Sequence, residues 1–411
     1  MTGDSAVEAP PAPLSADPEV ESFGTRVWEN IKGGNLGSWP VIIGLIGIVV
    51  VFSLTTENFF TAVNFNNIIT QMTGTTMLAF GVVFVLLLGE IDLSIAYVSA
   101  VAGVVAAELQ LPDSGHTLPG IWPIVVALLA VAVIGLVQGS FVALIGVPSF
   151  VVTLAGLLIW QGYVQKQLGA AGPIIIQSRW INYTAQYFFS KEAGWLMAAM
   201  ISALYVGGIV GGIVQRRRHR IPLRDPALIV LKMVGVPALA FGVVAICNHD
   251  RGVPLAGVLI VVFLVFWTYI AKRTTFGRHV YAVGGNAEAA RRAGISVARI
   301  RIIVFMISSF MAGVGGIVLA ARLSSVAPDQ GGGTLLLDAI SAAVIGGTSL
   351  FGGRGEVRSA VLGAAVIATI ANGLFIHQFS NGVIFITTGC ILLFAVTLDT
   401  LARRRQAKTG R

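Results

Sequence analysis

Between Trp39 and Leu398 the chain is a succession of apolar runs, each about as long as a bilayer is thick, and this limits its fold more than any other feature. A bilayer's hydrocarbon core is about 30 Å across and a helix rises 1.5 Å per residue, so about 20 apolar residues make one crossing. Such runs lie at Trp39–Thr55, a stretch ending at Gly89, Leu93–Leu109, Ile121–Ile145, Phe150–Leu168, Trp195–Val214, Ala227–Cys247, Pro254–Ile270, Ile300–Ala321, Leu335–Leu350, Val357–Ile376 and Gly382–Leu398. From Gly74 to Gly89 there are only 16 residues. That is about 24 Å, so this helix is expected to start near Asn67. Backbone groups in lipid must find partners within their own segment, which predicts an all-α polytopic membrane protein of about 10–12 transmembrane helices. The run Leu335–Leu350 is short, carries Asp338 and ends in GGTSLFGGRG, which suits a broken or re-entrant helix as well as a crossing. With 55% hydrophobic and 11% charged residues and a mean hydropathy of +0.85, the chain is too apolar for soluble domains.

Basic residues assign the two sides, because loops rich in Lys and Arg stay in the cytoplasm. Twelve spans with the N-terminus inside put three basic stretches there: QRRRHRIPLR (Gln215 to Arg224), Phe276 to Arg301, and the tail at 402–411. The opposite side keeps only a few, such as Arg179, Lys191, Arg251 and Arg322. Topology therefore accounts for a pI near 9.8 without nucleic acid as a partner. Residues 1–35, rich in Pro, Ala, Ser and acids, read as a disordered cytoplasmic tail and not as a signal peptide. Residues 36–401 form the membrane domain, followed by the basic cytoplasmic tail. Cys247 and Cys390 lie in apolar runs and read as small core residues.

One long polar stretch interrupts the second half, FGRHVYAVGGNAEAARRAGISVARIR from Phe276 to Arg301, within a loop at 272–299. Asn286 can cap a helix through its side-chain oxygen, Glu288 suits the positive end of the helix dipole, Arg291 and Arg292 fall in the last turn, and Gly294 can close it in the left-handed conformation. From Ala287 to Ala293 that gives about 10 Å of rod. So short a helix is marginal alone, so the signals make most sense if something packs against it. A solvated loop with a helical kink accounts for the same residues.

The order GR..YAVGGN.EAARRAGI, followed at once by an apolar span, resembles the cytoplasmic coupling loop in permease subunits of bacterial ATP-binding-cassette sugar importers. The ribose, xylose and galactose branch is the nearest. GEIDLS at Gly89 to Ser94 and AVIGGTSLFGGRG at Ala343 to Gly355 resemble the same family, and the likeness covers the chain from about Asn64 onward. It implies an all-helical membrane domain, paired with a second copy or a close paralogue. The coupling helix, carrying Gly284, Gly285, Asn286, Glu288, Ala289, Ala290, Arg291, Arg292 and Gly294, would sit in a cleft of a separate cytoplasmic ATPase dimer. An extracytoplasmic sugar-binding protein would deliver the monosaccharide, and the complex would lie in the bacterial plasma membrane with both termini inside. Glu90, the basic loop at Gln215 to Arg224 and the added spans around it resemble xylose-type permeases most, with ribose the second expectation.

GEIDLS followed by SAVAGVVAA (Ser99 to Ala107) also resembles GGTSLFGGRG followed by SAVLGAAVIA (Ser359 to Ala368), as parallel repeats would. At the first of these junctions, Glu90 and Asp92 read either as a broken-helix corner whose carboxylates gate the inner mouth or pair with an arginine of the coupling region, or as a tight interfacial turn with Asp92 capping the helix from Leu93. Polar residues within the spans are few: Gln71, Gln138, Trp160 beside Gln161, Asp338, Ser341 and Asn372. Such groups either bond helices together or line a wet path, and a sugar exchanging hydroxyl hydrogen bonds and stacking on an aromatic ring would suit the second role. The candidate path is therefore Glu90, Asp92, Ser94, Gln138, Trp160, Gln161, Asp338 and Asn372. Asp338, an acid well inside a span, could equally be a counter-ion for Arg322 or Arg354.

No G-x-x-x-x-G-K-[ST] occurs, and GGRGE at Gly352 to Glu356 lacks the lysine that reaches phosphates, so ATP is expected on another subunit. The histidines (His116, His219, His249, His279, His377) show no metal-binding spacing and no G-x-S-x-G is present, so neither a metal, a cofactor nor catalysis is expected. An ion-coupled secondary carrier is the alternative. It would need acids at the midplane, of which there are few, and would have no use for a capped helix in a basic loop.

Overall fold

In a computed structural model of the chain, residues 39–112, 115–169, 172–221 and 226–408 are described. The expected disordered tail at 1–35, part of the basic loop at 222–225 and the last three residues lie outside them. Fifteen helices follow in order: α1 (Trp39–Thr55), α2 (Ala62–Leu87), α3 (Ile95–Glu108), α4 (Trp122–Ser140), α5 (Ser149–Leu168), α6 (Arg179–Gln186), α7 (Lys191–Arg218), α8 (Pro226–His249), α9 (Leu255–Arg273), α10 (Thr275–Gly285), α11 (Ala287–Arg292), α12 (Val297–Leu323), α13 (Leu335–Ile345), α14 (Val357–Ile376) and α15 (Asn381–Lys408). A π turn, Phe141–Ile145, extends α4. Two strands of two residues each, β1 (Ile174–Ile175) and β2 (Ser325–Val326), pair antiparallel, with Ile174 opposite Val326.

Each expected span is helical, and seven are long and apolar enough to cross a membrane: α2, α4 with its π turn, α7, α8, α9, α12 and α14. The run ending at Gly89 starts at Ala62, five residues before the expected Asn67. Thr61 makes the start there, its hydroxyl accepting the Asn64 N–H at 3.2 Å. α13 spans only Leu335–Ile345, about 16 Å, and a glycine-rich loop follows it. A short helix ended by irregular backbone is tolerated at such a depth only when protein surrounds it. Here α2, α14 and α15 do so.

α2 and α12 form the centre. α12 packs on α2, α3 and α4, and small residues set how closely the axes approach. A Cβ on Gly316 would overlap the Ser99 carbonyl of α3, and one on Gly135 would overlap the Phe305 carbonyl of α12. Around that centre Phe80, Phe84, Phe305, Met77 and Met311 are fully buried. α7 and α8 stand at the margin, packed chiefly on each other, with bare apolar faces such as Leu196, Leu204, Val234 and Leu239. Bare aliphatic surface of this kind is expected where lipid is the solvent. Cys247 is buried, as expected. Cys390 is exposed, contrary to expectation, because α15 covers only part of its circumference with α13 and α14.

Arg179, Lys191, Arg251 and Arg322 all fall at one end of the bundle. There Asn66 donates to Asp250 at 2.9 Å, Arg251 pairs with Asp250 at 3.2 Å, and Gln186 donates to the Ala321 carbonyl at 2.6 Å. The polar stretch Phe276 to Arg301 lies at the other end. α3 and α14, the two helices of the internal echo, both set out from that end.

Candidate coupling site where three loops meet

The polar stretch folds as two helices. Thr274 caps α10 by accepting the Gly277 N–H at 3.2 Å, and Asn286 caps α11 by accepting the Ala289 N–H at 2.9 Å. The second cap is the one the sequence predicts. α10 is a second helix that the sequence does not announce, since its polar residues hide an amphipathic pattern whose buried side is Gly277, Val280 and Val283. At the far end of α11, Ile295 N–H bonds Ala290 O and Gly294 N–H bonds Arg291 O, both at 3.0 Å, with Gly294 at φ 83°. This double closure satisfies carbonyls the helix leaves free, and Ile295 packs back toward Ala290. Glu288 in the first turn pairs with Arg291 and Arg292 in the last, each at 3.3 Å. Of this helix only Ala290 is buried; Glu288, Ala289, Arg291 and Arg292 face outward with Gly285, Asn286 and Gly294.

Gly284 ties this unit to the bundle. It sits against the Leu87 carbonyl at the end of α2, so closely that a Cβ would overlap that oxygen and lie 2.9 Å from Gly353 N. Leu87 O is one of the carbonyls a helix leaves without an internal partner. Gly353 N–H supplies one at 2.9 Å. A Cβ on Gly352 would in turn lie 2.8 Å from Gly284 O and 2.9 Å from Gly89 N. Gly89, Gly352 and Gly353 have φ of 75°, 86° and 72°, a region costly to residues with a Cβ. The three sequence stretches that resemble one family thus converge on one joint made of peptide groups.

Side chains flank the joint. Arg301, at the start of α12, pairs with Glu90 at 3.0 Å, with the carboxylate mostly buried. Tyr281 donates its hydroxyl to Gly355 O at 2.8 Å. Glu356 accepts from Lys272 at 2.7 Å and also pairs with Arg358. Burial raises the Glu356 pKa, but these two cations outweigh it and hold the carboxyl below its ordinary value.

Asp92 has a different setting. It is buried; one oxygen accepts the Ser94 N–H at 3.0 Å and the Ser94 hydroxyl at 2.7 Å, and the other accepts the Ser308 hydroxyl at 2.8 Å. Ser94 has one proton to give, and with it committed to Asp92 the Gln138 side-chain oxygen 3.1 Å away leaves a mismatch. Turning that amide over makes its NH2 a donor to Ser94 and resolves it. Asp92 therefore joins the start of α3 to α12, 216 residues away. It turns the chain into α3 without pairing to an arginine. Glu90 thus pairs with an arginine of the polar stretch, whereas Asp92 bonds Ser94 and Ser308.

The other expected path residues do not gather. Trp160 and Gln161 are half-buried on α5; Asn372 is buried on α14. Asp338 lies in the first turn of α13, accepting the Thr334 hydroxyl at 2.7 Å. It is thus a helix-start residue, where the sequence placed it well inside a span. Among the described residues no ion pair joins it to Arg322, and no three His, Cys, Asp or Glu side chains converge as for a metal.

Residues 64–397 match the family described as branched-chain amino acid transport system / permease component. The chain is 34% identical to the xylose transport system permease protein XylH of Escherichia coli (strain K12), over 92% of this chain and 95% of that one. It is 32% identical to XylH of Haemophilus influenzae, over 91% and 99%, and 30% identical to the ribose import permease protein RbsC of Escherichia coli (strain K12), over 87% and 92%. No solved structure matches it. Helices long enough to cross a membrane and a family match over most of its length lead to one statement: the chain belongs to the permease-component family of membrane transport systems.

Proposed function

We propose that this chain is the membrane-spanning subunit of an ATP-driven monosaccharide importer in a bacterial plasma membrane. Xylose is the first sugar to test and ribose the second, following the relatives' names. α11 docks in a separate cytoplasmic ATPase dimer, a second copy or close paralogue completes the conduit, and an extracytoplasmic binding protein supplies the sugar. Both termini lie inside. The observation that supports this reading is an outward-facing, doubly closed helix hung on a backbone joint that touches the end of α2 and the glycine-rich loop after α13 at once. A push on such a rod reaches the bundle with little loss in flexible side chains. Differential affinity of the nucleotide-bound partner for the two positions of the rod then supplies the shift between inward and outward openings.

The eight path candidates divide under this reading. Asp92, Ser94 and Gln138 lock α3, α4 and α12 together, and Glu90 braces the joint. Trp160 and Gln161, on an α5 that its own chain covers only partly, are the ones placed to meet sugar against a second copy. Asp338 and Asn372 act within the protomer.

The test is sugar uptake into vesicles containing the chain, its ATPase and its binding protein. ATP-dependent uptake of xylose or ribose is expected. Uptake against a gradient by the chain alone, or loss of uptake to an uncoupler at constant ATP, would overturn the proposal in favour of an ion-coupled carrier.

A further inference from the structure

The joint has a cavity beside it. A space of about 430 Å³ opens among Ala271, Lys272, Arg278, Tyr281, Gly355 and Glu356, where α9 ends, α10 begins and the glycine-rich loop passes. Its depth is set by α9. Val262, Val265, Phe266 and Tyr269 form one bare face of that helix, all at least half exposed. Lys272 and Arg273 continue the same face one turn lower. An apolar face that ends in a tyrosine and then two cations marks the passage from hydrocarbon to headgroups. The cavity therefore opens sideways, at headgroup level, with an acyl-chain surface directly above it.

Its charge is positive. Lys272 and Arg278 line it against the carboxylate of Glu356, which Lys272 shares with Arg358. The Arg278 side chain is exposed and makes no hydrogen bond or ion pair among the described residues. A free guanidinium at the lip of a basic pocket is a donor fork that matches phosphate.

We propose that this cavity binds the phosphate headgroup of an anionic phospholipid, with its acyl chains along the Val262–Tyr269 face of α9. Tyr281 and Glu356 belong both to the pocket wall and to the braces of the joint, so a bound lipid stiffens the seat of the coupling helix. The membrane placement alone carries this inference; it stands whether or not α11 meets an ATPase.

The test uses the purified full chain in detergent, with retained lipid counted by native mass spectrometry during titration with dioleoylphosphatidylglycerol or dioleoylphosphatidylcholine. One phosphatidylglycerol is expected to be held per chain in preference to phosphatidylcholine. Arg278→Ala, which breaks no internal bond, is expected to weaken that binding about fivefold, and Lys272→Ala with Arg278→Ala about 25-fold. Arg216→Ala with Arg217→Ala, the same charge loss at the end of α7, is expected to leave it unchanged. Equal retention of the two lipids, or equal losses in the two double variants, would overturn the proposal. Displacement of the lipid by millimolar inorganic phosphate would assign the pocket to a soluble phosphate instead. Loss of phosphatidylglycerol only on addition of the ATPase subunit would assign it to an acidic side chain of that partner.

Discussion

Gly284→Ala and Gly285→Ala differ by one position in the sequence and should differ entirely in effect. At Gly284 the added methyl overlaps the Leu87 carbonyl oxygen and lies 2.9 Å from Gly353 N, and both neighbours are backbone that cannot rotate away. At Gly285 the methyl meets nothing within 4 Å. Forcing a methyl into close-packed surroundings costs about 1–3 kcal/mol. Parting Gly353 N–H from Leu87 O forfeits about 0.5–1.5 kcal/mol more. The sum, about 1.5–4.5 kcal/mol, falls where α10 and the glycine-rich loop meet the end of α2. It is enough to shift the joint's closed population by roughly 10- to 1500-fold, at 1.4 kcal/mol per factor of ten. Gly285→Ala removes a flexible residue from α10 and should be neutral or slightly stabilising. In vesicles with the ATPase and binding protein, Gly284→Ala should insert normally and hydrolyse ATP while moving little sugar per ATP. Gly285→Ala should keep the wild-type ratio. Equal ratios in the two variants would refute the claim that force passes through this peptide contact.

Three further outcomes can be checked with the same preparation. Arg301→Ala should leave the Glu90 carboxylate without its cation and lower thermal stability by about 1–3 kcal/mol, between the values for exposed and buried pairs, and a melt unchanged within error would show that the pair does not brace the loop. Asn286→Ala removes the α11 cap, costing that helix about 1 kcal/mol; stimulation of the ATPase should fall with the chain's melting point unmoved, and unaltered stimulation would count against a preformed rod. Glu356 has a folded pKa below its ordinary value of 4.5, so its contribution to stability is present above that value and fades as pH falls through the folded pKa. Wild type should therefore lose melting temperature on acidification more steeply than Glu356→Gln, and parallel curves would remove Glu356 from the account.

The parts legible in the sequence are those whose cause is local. Span positions follow from apolar length, and the closure of α11 follows from Asn286, Glu288 and Gly294 lying within nine residues. α10 is not legible because its polar residues look like loop, and its buried side emerges only when the bundle is there to cover Val280 and Val283. Bilayer thickness alone puts the start of α2 near Asn67, and it does not register that Asn66, buried and bonded to Asp250, extends the helix back to Ala62. Nothing near Leu87 signals that its carbonyl meets Gly353 and Gly284, and nothing near Asp92 signals Ser308. Those partners lie hundreds of residues apart, and only the packed helices bring them together. The three motifs were recognisable one by one, while their being one object was not.

A contact built without side chains has an unusual relation to mutation. Every possible replacement at Gly284 adds atoms, and none takes any away, so its grip can be spoiled but hardly adjusted. Gradual tuning of how strongly hydrolysis is felt inside the membrane must then be written elsewhere, on the bare surface of α11 or in the charged residues that hold the loops from either side.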